Sequence, residues 1–445
     1  MNPLRSMPLA LTVGFGTAVG MWILGFVAHL PGVRVPGPIL VPLLGAVIFA
    51  GGAVAGRHGA RGTAALLAGA VTGLVNLLIL GSVLGSEDPG SGLRPNWIIL
   101  AGGSILFAAV LAALGAAFVR PDPARSSLTA QHWLARFAWV TVASALPVLL
   151  SGGLVTSTNT GLAVPDWPTS YNANMFLYPL SKMTGGIYYE HAHRLFGSLV
   201  GLTTLTLVVF TFLAERRLVA RTMTALAIVF VCAQGVLGGV RVTSATVTSD
   251  TMSPDTLADN TTSMLLAMVH GTTAQLFVAF LCATATVLSR RWASGQRGPA
   301  DKADGVLAGL AAALPALLLL QLLLGSAARH LHQSHAAWTH AGFAIIVLVA
   351  ASAVGFRAAA RHAHEPLLRT LGKVLSHTVG LQFVLGVATF IAVLPYERGK
   401  IDPPYAVIIA TSHQALGAVL FGAATLMVLW ARRLAAPSAL DSRDA

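Results

Sequence analysis

Residues 189–213 read Tyr-Glu-His-Ala-His-Arg-Leu-Phe-Gly-Ser-Leu-Val-Gly-Leu-Thr-Thr-Leu-Thr-Leu-Val-Val-Phe-Thr-Phe-Leu. After Arg194 the chain runs to Leu213 without a charge, and about 20 such residues cross a bilayer as a helix. The head of the run carries a carboxylate, two imidazoles and a guanidinium, groups that are expensive in hydrocarbon and usually functional there. The stretch therefore reads as a membrane helix with a polar head.

Outward from it, similar runs recur along all 445 residues: 8–30, 37–56, 63–85, 96–119, 134–155, 190–213, 221–240, 264–288, 305–327, 335–356, 370–393 and 405–431. Composition agrees, with 55% apolar residues and 10% charged where a soluble domain carries about 25% charged. The reading is an all-α polytopic membrane protein of twelve helices. The first run is too long, and too well continued by others, for a cleaved leader. The net charge of +12 comes from Lys and Arg scattered between apolar runs, with no continuous basic stripe, so no nucleic-acid partner is expected. With the N-terminus inside, 20 of the 28 basic residues fall on the cytoplasmic connections. The positive-inside rule then puts both termini in the cytoplasm and the protein in the cell inner (cytoplasmic) membrane, in contact with lipid. Cys232 and Cys282 lie inside apolar runs and suggest neither a disulfide nor a thiolate metal site.

A polar stretch with Pro121 and Pro123 separates four N-terminal helices, 1–120, from eight that follow. The expected divisions are a linker at 121–133, a first four-helix half at 134–290, a second at 305–431 and a tail at 432–445. The two longest connections, 156–189 and 241–263, fall on the outside. The eight-helix part repeats itself: Gln-x-x-Leu-Gly occurs at Gln234–Gly238, Gln321–Gly325 and Gln382–Gly386, and close helix packing on small residues is the plainer explanation. Four histidines follow the same two-fold pattern near the outer ends of alternate helices, His193 with His270 and His340 with His413. Facing imidazoles in a helical bundle are the usual means of holding a haem iron. Spacing alone does not separate haem from another metal, although the lack of clustered carboxylates and thiolates argues against zinc, calcium or an iron–sulfur cluster.

Glu190 precedes His193 by three residues and shares its helix face, whereas Ala337 stands in that place before His340. A carboxylate in one half only suits chemistry at the first site and electron storage or transfer at the second. An ion pair with Arg194 satisfies the same spacing. His191 points about 160° away from His193, and His330, His332 or His335 replaces His340 if the two halves are offset by a turn.

These residues resemble the haem A synthase family, which serves assembly of aa3-type cytochrome oxidases. The resemblance rests on Thr158-Asn-Thr-Gly-Leu-Ala-Val-Pro-Asp-Trp-Pro168, Glu190-x-x-His-Arg194, Gln234-Gly-Val-Leu-Gly-Gly-Val-Arg-Val242 and the helix starts bearing His270, His340 and His413. It implies an eight-helix core of two pseudo-symmetric four-helix bundles, to which this chain adds four extra N-terminal transmembrane helices. It also implies oxidation of the C8 methyl of haem O, the substrate, to a formyl group with oxygen from water. His193 and His270 would be the axial ligands of the substrate haem, His340 and His413 those of a haem B cofactor, and Glu190 the catalytic carboxylate. Arg194 would pair with a haem propionate or with Glu190. Implied partners are the haem O-producing enzyme and an electron acceptor that no motif names. The cysteine pair that some members carry in the first outer loop is absent between Thr156 and Gly186. Two other readings compete: a bis-histidine di-haem electron carrier without substrate chemistry, and a transporter or assembly factor built on repeated halves.

Overall fold

The computed structural model describes residues 3–88, 90–249, 261–299, 303–331, 334–393 and 403–435. His332 lies outside them. Among the described residues twelve helices are long and apolar enough to cross a membrane: α1 (Pro3–Ala28), α2 (Gly37–Arg57), α3 (Thr63–Leu84), α4 (Trp97–Ala117), α5 (Ala130–Ser157), α6 (Gly185–Ala214), α7 (Leu218–Ser249), α8 (Thr261–Leu288), α9 (Gly305–His330), α10 (Ser334–Arg361), α11 (Pro366–Val393) and α12 (Pro404–Leu434). The all-α polytopic architecture is as the hydropathy pattern predicts.

Several helix ends differ from the sequence expectation, two of them on α6 and α7. α6 begins at Gly185, so Glu190 and His193 lie in its second and third turns rather than at its start. α7 runs to Ser249, past the apolar segment ending near 240, because polar residues there keep helical bonding; the Thr243 hydroxyl bonds back to the Gly239 carbonyl at 3.1 Å.

Contacts divide the chain into two compact units, residues 1–151 with 160–232 and residues 152–159 with 233–445. In the first, the N-terminal helices pack through small residues, as expected where lipid offers no hydrophobic driving force between helices. A Cβ on Gly52 of α2 would stand 2.0 Å from the Ala112 carbonyl oxygen, and one on Gly115 of α4 equally close to that of Phe49, so these helices meet backbone to backbone. Asn76, a lone amide in an apolar run, accepts a buried hydrogen bond from the Trp22 indole at 3.0 Å. α1 also packs on α5, where Phe15 meets Phe137 edge to face and the Thr12 hydroxyl donates to the Trp133 carbonyl.

In the second unit α9 to α12 form a bundle whose core includes Leu314, Val347, Val354, Leu375, Phe421 and Met427. Asp304 caps α9 by accepting from the Leu307 N–H at 3.0 Å. It also takes Arg357 on both carboxylate oxygens and faces His362 at 3.3 Å. Burial pushes this carboxyl up, but the bonds from Arg357, Leu307 and His362 outweigh it and bring its pKa down to about 2. A depressed carboxyl pKa stabilises the fold above the ordinary value, near 4, and that stability is lost as pH falls through the folded value. Wild-type protein should lose thermal stability progressively between about pH 4 and pH 2. Asp304→Asn should unfold at a lower temperature at neutral pH and show a smaller acid decline in thermal melts across that range.

Candidate functional site

The polar head of α6 is buried: Glu190 is 4% and His191 0% exposed. Both oxygens of Glu190 are engaged, Oε1 by the Arg194 guanidinium at 2.7 Å and Oε2 by the Val164 N–H at 2.9 Å. Arg194 also donates to the carbonyls of Asp166, Thr169 and Val164 at 2.6–2.9 Å. One turn of helix thus holds the Thr158–Pro168 segment by charge-assisted bonds to its backbone, which are stronger than neutral ones. His191 faces the same loop, with Nδ1 3.2 Å from the Ser170 hydroxyl and its ring against Tyr178. As the helical wheel predicts, it points away from His193.

The loop shapes itself around Asp166. Tyr171 and Asn172 both adopt left-handed φ, which is costly for residues with side chains. Their N–H groups donate to Asp166 Oδ1 and Oδ2 at 2.6 and 2.8 Å, closing a two-residue turn between Ser170 and Ala173. Burial pushes the Asp166 carboxyl up, but bonds from Thr169, Asn172 and Tyr171 prevail and leave it below its ordinary value.

The N-terminal helices grip the far side of this loop. A Cβ on Gly81 of α3 would lie 2.2 Å from the Phe176 carbonyl oxygen, and one on Gly85 2.4 Å from that of Leu177. The Ser181 hydroxyl donates to Glu87 at 2.8 Å. At the head of α6, Tyr188 stacks on Phe26 of α1 and donates to its carbonyl at 2.6 Å.

Of the four histidines singled out in the sequence, His340 and His413 are brought together, with ring centroids 6.3 Å apart and planes at 88°. An iron held between two imidazole nitrogens at about 2 Å each places the ring centroids roughly 6 Å apart, so the pair fits axial ligation. His340 Nδ1 lies 3.0 Å from the Gln321 carbonyl oxygen. A proton on Nδ1 leaves Nε2 with the lone pair a metal needs. The Gln321 amide stands 3.5 Å from Nε2 and must turn aside for a metal. His335 is exposed at the start of α10, and His330 ends α9; His340 is the residue beside His413. In the first unit His193 Nδ1 faces the Val148 carbonyl at 3.0 Å and the Ser151 hydroxyl at 3.3 Å. In the second, His270 faces the Gln234 carbonyl. Among the described residues no three His, Cys, Asp or Glu side chains cluster as a non-haem metal site.

Residues 135–340, a little under half of the chain, match the profile of COX15-CtaA, cytochrome oxidase assembly protein. Over that segment the chain is similar to this cytochrome oxidase assembly family. No curated protein and no solved structure matches the chain. The matched segment contains α6 with Glu190, His191, His193 and Arg194, the loop they hold, and His270 and His340. His413 lies beyond the matched residues, and the N-terminal helices lie before them.

The grip of α3 on the loop was missed at the sequence level, because it uses the carbonyls of Phe176 and Leu177. A glycine pair such as Gly81 and Gly85, one turn apart at a helix end, is its only trace. Arg194→Ala should leave Glu190 buried without its counter-ion and cost about 3–5 kcal/mol of stability. Gly81→Val should push the loop off α3, whereas Gly103→Val, in open space, should not. Hydrogen exchange of residues 160–178 in the full chain should rise in the first two variants and match wild type in the third; equal exchange in all would contradict the clamp.

Proposed function

We propose that the chain is a haem A synthase, an oxidoreductase that converts the C8 methyl of haem O to a formyl group, with oxygen from water, for aa3-type cytochrome oxidase. The observation that carries this reading is the pair His340 and His413, 6.3 Å apart, alongside a segment similar to the cytochrome oxidase assembly family. In this reading the pair holds haem B, and His193 and His270 hold haem O. The assignment of the second pair rests on the sequence repeat, with each histidine on its own helix.

Haem B, when bound, supplies a one-electron relay. The chain's own part is to present neutral imidazoles, which the carbonyls of Gln321 and Val148 favour by accepting from Nδ1. Glu190 is the proposed catalytic carboxylate, placed to take a proton or steady positive charge in a low-dielectric site. Arg194 fixes its orientation through the 2.7 Å pair. The reading places both termini in the cytoplasm and the histidine layer toward the outside of the inner membrane, where haem O arrives from the enzyme that makes it. An electron acceptor completes the cycle.

One observation favours the di-haem carrier instead: Glu190 already has a structural task, since both its oxygens hold the loop. Its presence in one half is then explained without chemistry. Expression in a host that makes haem O but not haem A separates the two. The synthase reading predicts haem A beside haem B in the purified full chain. Glu190→Gln keeps an acceptor for the Val164 N–H and should retain bound haem while losing haem A formation by about 100-fold or more. Haem B alone in wild type, or undiminished haem A in Glu190→Gln, would overturn the synthase reading or the role of Glu190 respectively.

A further inference from the structure

The three Gln-x-x-Leu-Gly copies share more than helix packing. The carbonyl of Gln321 accepts from His340 Nδ1 at 3.0 Å, while those of Gln234 and Gln382 face His270 and His413 with looser geometry. In each copy the glycine four residues later lies under the imidazole. A Cβ on Gly325 would come 2.7 Å from His340 Cε1, one on Gly386 3.0 Å from His413 Cε1, and one on Gly238 3.5 Å from His270 Cε1.

Helix geometry explains the spacing. A mid-helix carbonyl at position i already accepts the N–H of i+4 and has one lone pair left. The Cα–Cβ bond of i+4 tilts toward the helix N-terminus, over the turn that contains residue i, so a side chain there crowds any ring seated close over the spare lone pair. Glycine at i+4 uncovers it and leaves room for a flat ring. His193 obeys the same rule without a glutamine: its acceptor is the Val148 carbonyl, and Gly152 stands four residues on in the sequence. The common element is an uncovered carbonyl with glycine at i+4, and the glutamine side chain is not part of it.

We propose that these glycines are positioning residues for the metal-binding histidines: each opens the backbone carbonyl that fixes its imidazole with hydrogen on Nδ1 and Nε2 free to ligate. The ligand class is a metal bound by neutral imidazole, haem iron in the reading above, on which the haem part of this inference rests. The three Cβ distances make the proposal graded. Gly325 is the least tolerant of a methyl group, Gly386 is intermediate, and Gly238, where 3.5 Å is ordinary van der Waals contact, accepts alanine.

The test compares Gly325→Ala, Gly386→Ala and Gly238→Ala in the full chain, with the haem content, absorption spectrum and midpoint potential of each. Gly325→Ala should weaken haem retention by roughly 10- to 100-fold. The haem that remains should have a raised midpoint potential, because an imidazole that loses its Nδ1–H bond is a poorer donor to ferric iron. Gly386→Ala should show a smaller change of the same kind, and Gly238→Ala none. Three variants indistinguishable from wild type, or three equally impaired, would overturn the graded seat. Nitrogen NMR of 15N-histidine-labelled protein without haem tests the seat apart from haem: His340 should be the Nδ1–H tautomer in wild type and a mixture in Gly325→Ala. An unchanged tautomer would overturn the proposal even if haem binds, while wild-type protein that shows the tautomer shift but never takes haem would overturn only the haem reading.

Discussion

A polar hydrogen inside a bilayer must find an acceptor within the protein, and most acceptors there, the helix carbonyls, are already committed to the helix. The buried polar clusters within each unit are organised by how they meet that constraint. Where imidazoles are needed, the spare lone pair of a carbonyl is exposed by removing one Cβ. Where a carboxylate is needed, it is given an arginine one turn away and a loop amide.

A different solution operates at the opposite end of the second unit. There Arg357, partly exposed, pairs with the nearly buried Asp304, which also faces the buried His362, and Arg291 grips Glu365 with both nitrogens at 2.6–2.8 Å. Such ion pairs tie the ends of helices and sit where water tempers both their cost and their gain. The histidine end has no such latitude, and its geometry is set by backbone groups whose positions the helices fix.

Much of this was legible in the sequence because hydrocarbon imposes length and apolarity on every span. All twelve helices follow from that alone. Their ends were less legible: hydropathy stops at the first polar residue, but Tyr188 and Glu190 are satisfied by protein partners and His191 meets Ser170 through Nδ1, so α6 begins earlier. Glu190 and Arg194 announced an ion pair by their spacing of four. The carbonyls that Arg194 also takes lie 25 to 30 residues away and belong to residues of any type, so no motif records them. The Gln-x-x-Leu-Gly copies looked like helix-packing signals, and the glycines do permit close approach, but what approaches is a histidine ring. The hold of α3 on the loop between α5 and α6 had no signature beyond two small residues. Sequence displays side chains, and wherever the partner is a backbone carbonyl only the missing Cβ marks the place.

The central claim is that His340 and His413 together ligate one metal centre. Electron paramagnetic resonance of the oxidised, purified full chain tests it most directly, in a His193→Ala background that removes the other proposed haem pair, alone and combined with His340→Ala, His413→Ala or His335→Ala. The account predicts a low-spin ferric signal of bis-imidazole type that disappears or turns high-spin in the first two combinations and survives in the third. A signal that survives both His340→Ala and His413→Ala, or that is lost in His335→Ala, would contradict it.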